Sequence, residues 1–114
     1  MAIQTVGEKN SLATKYGTDA PYAALYTTAP GATAGTEVTG GSPAYARKAL
    51  TWGAPSNGVI TATATFDVPA GTTVVGAGLH SAVTGGTYLD GGAVASQQFA
   101  SQGTYALTLT FTQS

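Results

Sequence analysis

The stretch Val59-Ile-Thr-Ala-Thr-Ala-Thr-Phe-Asp-Val68 decides the fold. Ile60, Ala62, Ala64, Phe66 and Val68 alternate strictly with Thr61, Thr63, Thr65 and Asp67. A period of two sends one set of side chains to a buried face and the other to water. Branching at Cβ, as in Thr and Val, suits a pleated surface and costs rotamer freedom in a helix. The pattern returns from Thr104 to Thr112, where Tyr105, Leu107, Leu109 and Phe111 oppose Thr104, Ala106, Thr108, Thr110 and Thr112. Both segments are predicted strands with one wet face.

Working outward, the segments are softer. Thr73 to Ser81 sets Val75, Ala77 and Leu79 against Val74, Gly76, Gly78 and His80. Its two glycines predict a bulge or the close approach of a neighbouring backbone. Tyr45 to Trp52 alternates, and Tyr22 to Thr27, Thr87 to Leu89 and Val94 to Phe99 read as shorter strands. Asn57-Gly58 supplies the positive φ angles of a tight hairpin turn. Pro69-Ala70-Gly71 fixes one φ and frees another, and Gly85-Gly86 and Asp90-Gly91-Gly92 read as further turns. About seven strands spaced by turns predict an all-β fold, a single small antiparallel β-sandwich of jelly-roll or Ig-like type. Residues 21–114 form that domain, preceded by an N-terminal arm or short helix over residues 1–20. Ile3, Val6, Ala13 and Tyr16 fall on one helical face there, with Gly17 as the candidate cap. Ala29 to Ser42, rich in Ala, Thr and Gly with little to bury, reads as a long, mobile loop.

Composition narrows the function. The 114 residues carry 43% hydrophobic side chains, 16 Gly and no Cys. Charged residues are 8%, against roughly 25% in an ordinary soluble domain. Four Lys and Arg with a net charge of -1 argue against a nucleic-acid partner. No apolar run approaches the roughly 20 residues of a membrane-spanning helix, so no membrane partner is expected. Met1 to Asn10 has no basic flank or hydrophobic stretch and is not expected to be a secretory signal. With a modest core and many glycines, the isolated monomer is expected to be marginal and to gain stability from partners.

The chemical inventory is thin. His80, the only histidine, reads as a structural or surface residue. Glu8, Asp19, Glu37, Asp67 and Asp90 are widely spaced, without the facing pair a glycosidase needs. Gly76-Ala-Gly78 lies inside a strand pattern with no helix after it, so it is not a dinucleotide loop. No nucleophile elbow is present. We expect no catalytic residues, no cofactor and no metal. Arg and aromatic side chains are favoured interface anchors, which makes Tyr45, Arg47, Trp52 and Tyr88 the candidate interface residues. A surface of Thr, Ser and Gly suits packing beside identical neighbours, where like charges would repel.

Five stretches carry a resemblance: Glu37-Val-Thr-Gly-Gly, Tyr45 to Trp52, Phe66-Asp-Val-Pro-Ala-Gly-Thr-Thr-Val, Gly78-Leu-His-Ser and Tyr105-Ala-Leu-Thr-Leu-Thr-Phe. From about Tyr22 onward the chain resembles small virion structural proteins of actinobacterial tailed phages, labelled minor capsid, capsid decoration, minor tail or tail-fibre-like. The resemblance implies a β-sandwich on the outside of a virus particle. The expectation drawn from it is a non-enzymatic decoration protein, assembled in the host cytoplasm, that binds the major capsid protein on the outer capsid surface and stabilises the shell. Capsid symmetry then favours a homo-oligomer, a trimer. The alternative is a minor tail or tail-fibre-like protein that contacts the host cell surface. A free-standing carbohydrate-binding module and a small hydrolase rank below both.

Overall fold

The computed structural model describes residues 3–113. A helix, α1 (Val6–Asp19), precedes six strands: β1 (Tyr22–Tyr26), β2 (Lys48–Ala49), β3 (Val59–Val68), β4 (Thr72–His80), β5 (Tyr88–Phe99) and β6 (Gly103–Thr112). They form two antiparallel sheets, one in the order β2-β1-β4-β5 and one of β3 and β6. The small all-β sandwich expected from the sequence is therefore the fold, with four strands over two.

The alternating stretches are the two-stranded sheet. β3 and β6 pair without a break from Val59 opposite Thr112 to Val68 opposite Gly103. Phe66, Val68 and Leu107 turn inward and are buried, while Thr61, Thr63, Thr65, Thr104, Thr108 and Thr110 are exposed. Facing them, the four-stranded sheet contributes Ala23 and Leu25 of β1 and, beside them in the same sheet, Val74, Ala77 and Leu79 of β4. Asn57 (φ 52°) and Gly58 (φ 79°) form the tight turn into β3, closed by a bridge between Ser56 and Val59.

Several expectations change. The strand count is six, not about seven, because Asp90-Gly91-Gly92 is no turn: it stays extended inside β5, opposite Leu79, Gly78 and Ala77. The strand expected over Tyr45 to Trp52 shrinks to the two residues of β2. Val74, not Val75, shares the core face with Ala77 and Leu79, because a register shift between Val74 and Gly76 exchanges the faces. Gly17 does not cap α1. The helix runs on to Asp19 with Ala20 as its C-cap, and Gly17 is buried where the helix crosses Trp52 and Ile60. A Cβ there would stand 3.0 Å from the indole. Val6 is 50% exposed and does not belong to the packed face.

The stretch Ala29 to Ser42 is tied down rather than free. It returns along the edge of β1 that the short β2 leaves open, with Thr27 donating to Thr36 O (2.8 Å) and Val38 to Leu25 O (3.1 Å). Val38 is 2% exposed and joins the core. The segment before it crosses the outer face of the four-stranded sheet, where Tyr88 donates to Gly31 O (2.8 Å). That cover is why β4 is buried on both faces.

Candidate functional site

The polar centre of the molecule is built on Glu37. Arg47 grips its carboxylate with two hydrogen bonds, Nε to Oε2 and Nη2 to Oε1, both 2.9 Å. The remaining guanidinium nitrogen, Nη1, donates to Ala82 O (3.1 Å) and Gly85 O (2.8 Å) in the β4–β5 connection. Tyr45 donates its hydroxyl proton to Glu37 Oε2 (2.8 Å) and accepts from Leu25 N (3.0 Å), while its ring stacks on Phe66 at 6.1 Å. One planar cation thus holds the returning loop, the segment leading to β2 and the β4–β5 connection together.

The electrostatics follow from this geometry. Burial pushes the Glu37 carboxyl up, but hydrogen bonds from Arg47 and Tyr45 and the charge of Arg47 outweigh it, leaving the group below its ordinary value. The hydrogen bond to Glu37 holds the Arg47 cation more firmly than usual. Burial raises the Tyr45 phenol, and donation to Glu37 raises it further. Beside this network an open groove of about 350 Å³ is lined by Glu37, Thr39, Tyr45, Arg47, Val83 and Thr84. It offers hydroxyls, a satisfied ion pair and one apolar rim, a surface for recognition by shape and hydrogen bonding.

A second cluster lies on the outer face of the four-stranded sheet. Tyr26 and His80 are 1% and 4% exposed, and the Tyr26 hydroxyl shares a hydrogen bond with His80 Nε2. Tyr88 sets its ring edgewise on both, at 6.4 Å from Tyr26 and 5.6 Å from His80. Gly78 lies directly beneath: a Cβ there would come within 2.6 Å of the Tyr26 ring, so the strand is bare where the phenol covers it. Burial, then the nearby Arg47 charge, lower the His80 pKa against a smaller opposing pull from Glu37. Burial, followed by the charge of Glu37, pushes the Tyr26 phenol up to about 12.

These shifts predict a bounded pH range. An unfolded His80 takes up a proton near 6.5 and the folded one does so only at lower pH. Its contribution is therefore complete above about pH 6.5 and is lost as pH falls through the folded value. Glu37 acts in the same direction further down, below its unfolded 4.5. Tyr26 acts at the other end, its contribution complete below pH 10 and lost as pH rises toward 12. Urea midpoints measured across pH should form a plateau near neutrality. His80→Gln, which keeps a hydrogen-bonding side chain and removes the titration, should flatten the descent that begins below about pH 6.5; an unchanged descent would show that another group causes it.

The other two candidate residues act elsewhere. Trp52 donates from Nε1 to Ala20 O (3.0 Å) and meets the edge of Tyr16 at 6.0 Å. Tyr16 in turn stacks on Phe111 at 3.7 Å and donates to Asp90 Oδ2 (2.6 Å). Trp52 therefore docks α1 against the sandwich, and Tyr88 pins the covering loop. The structure brings Tyr45 and Arg47 together, and places Trp52 and Tyr88 in separate contacts. Sequence reasoning missed Glu37 and Tyr26. The signal for Glu37 was available: it is the only charged side chain in a loop of Ala, Thr and Gly.

Among the described residues, no group of three or more His, Asp or Glu is placed to hold a metal ion, and no helix is long and apolar enough to cross a membrane. A family model described as Podophage GP4 fiber I protein gp80 matches residues 11–111. No curated protein and no solved structure matches the chain.

Proposed function

We propose a function that proceeds from one premise: the chain belongs to the podophage GP4 fiber I protein gp80 family, and so to the structural proteins of the bacteriophage virion. Within the virion, the reading is a non-enzymatic, tail-fibre-like component that contacts the host cell surface. The observation that carries it is the family match, which begins within α1 and covers nearly all of the sandwich. It favours the fibre over the outer capsid position implied by the resemblance to decoration proteins.

The surface chemistry supports a contact role in an assembled particle. Two rows of exposed threonine on β3 and β6 offer hydroxyls and methyl groups without charge. The groove beside Arg47 and Glu37 is the proposed contact surface, since Tyr45 and Arg47 line it and the β4–β5 connection forms its rim. The reading is tested by cryo-electron microscopy of virions whose copy of this protein carries a gold-labelled tag. Label on the tail fibres supports it. Label distributed over the head overturns it in favour of decoration, and unlabelled particles overturn the virion role itself.

A further inference from the structure

The two-stranded sheet ends in an edge that natural proteins seldom leave open. Long edge strands are usually blunted by lysine, proline, a bulge or a covering segment, because their unpaired backbone groups template pairing with another chain. β6 runs for ten residues, Gly103–Thr112, with no charged residue and no proline, in unbroken register with β3. Among the described residues, no segment pairs with its other edge.

The direction of its amides follows from the ladder. Just past β6, Gln113 N donates to Gly58 O (2.9 Å) across the sheet. In an antiparallel pair, residues that exchange hydrogen bonds with the partner strand alternate with residues whose backbone groups point away. Counting back from Gln113 through the unbroken register, Phe111, Leu109, Leu107 and Tyr105 bond toward β3. Thr104, Ala106, Thr108, Thr110 and Thr112 point outward, five residues centred on Thr108.

The packing points the same way. Two strands do not cover four: Leu107 is buried, but Tyr105, Leu109 and Phe111 on the same inward face remain half-exposed, as does Val94 on β5. β5 is the open edge of the larger sheet, and only residues 100–102 separate it from β6. The two open edges therefore begin side by side.

We propose that β6 pairs antiparallel with β6 of a second copy of this chain, Thr108 opposite Thr108 and Ala106 opposite Thr110, joining the two small sheets into one of four strands. The partner is a second copy because the strand is complementary to itself. Full overlap about Thr108 satisfies all five outward residues on both chains, and an edge without charge sets no like charges against each other. A pairing about a two-fold axis differs from the trimer that capsid symmetry suggested, and it holds whether the protein sits on the tail or the head.

The test is sedimentation equilibrium of the whole chain and of three variants. Thr108→Pro removes one outward N–H and leaves every bond to β3, a place where an edge strand tolerates proline. Ala106→Lys with Thr110→Lys changes two exposed side chains, and sets like charges opposite one another only in the proposed register. The wild type is expected to be a dimer, and both variants to dissociate at least about tenfold more readily with unchanged circular dichroism. Mixing the double-lysine chain with Ala106→Glu, Thr110→Glu should restore a heterodimer. A monomeric wild type overturns the proposal, as does an oligomer that resists the double-lysine change. If Thr108→Pro fails to fold, the charge pair decides alone.

Discussion

Replacing Phe66 by Ala should lower the unfolding free energy by about 3–5 kcal/mol. Phe66 is fully buried at the middle of the sandwich, on β3, opposite Tyr105, with its ring stacked on Tyr45. The loss exceeds the transfer term because the cavity left behind closes poorly. Tyr45, the neighbour best placed to move in, is pinned by its hydroxyl to Leu25 N and Glu37. A domain of this size has roughly 5–15 kcal/mol in total, so the variant should lose a large share of its stability. Phe66→Leu refills most of the volume and should retain more than half of the lost stability. Urea unfolding of the three chains checks both statements. A loss under about 1 kcal/mol for Phe66→Ala would show that the core is not centred on this ring.

How far the sequence disclosed the fold depended on whether a segment had one wet face. β3 and β6 were legible to the residue or nearly so, because water on the outer side forces alternation with threonine. β4 was not. Its outer face lies under the loop that follows β1, so both faces are buried and no alternation survives, and the bulge after Val74 reverses the parity in mid-strand. Glycine misled twice for one physical reason. Gly17 resembled a helix cap, and Gly91-Gly92 resembled part of a turn. Gly17 lies under the Trp52 ring, and Gly91 under the Tyr88 hydroxyl, where bare backbone makes room for an aromatic side chain. Chain-local patterns report φ preferences, whereas Gly17 answers to Trp52 and Ile60, and Gly91 to Tyr88, Ala77 and Pro30, close contacts that no φ preference encodes.

The candidate site was half legible for a related reason. Tyr45 and Arg47 stood out as anchor-type residues on one alternating segment. Their partner lies ten residues earlier, in a loop expected to be mobile, and the carbonyls of Ala82 and Gly85 carry no side-chain signal at all. Backbone acceptors in a distant turn are invisible to composition and spacing. Trp52 stood among the candidate interface residues, and its indole contacts Gly17 of α1 and Ala20.

Arg47→Ala should cost about 2–4 kcal/mol, the second-largest effect expected from a single side chain. The side chains of Arg47 and Glu37 are only 12% and 26% exposed. Removing the guanidinium therefore leaves a half-buried carboxylate with Tyr45 as its remaining partner, and two carbonyls of the β4–β5 connection without a donor. Breaking such a pair costs more than the pair's net worth, because the uncompensated charge stays behind. Arg47→Lys should recover part of the loss, since an ammonium supplies the charge but not the two-pronged fit. A double-mutant cycle with Glu37→Gln isolates the coupling, expected above about 1 kcal/mol. The i, i+4 pair Lys15–Asp19, with side chains 68% and 49% exposed, is the internal control and should couple by less than about 0.5 kcal/mol. The Glu37 coupling should also vanish in acid. The carboxyl is held below its ordinary 4.5, so the pair contributes above that pH and fades as pH falls through the folded value. Equal coupling for both pairs would mean that the Arg47 network is only a surface contact. Coupling confined to Arg47 and Glu37 would identify it as the clasp that holds the groove, its rim and the loop over Tyr26 and His80 in one arrangement.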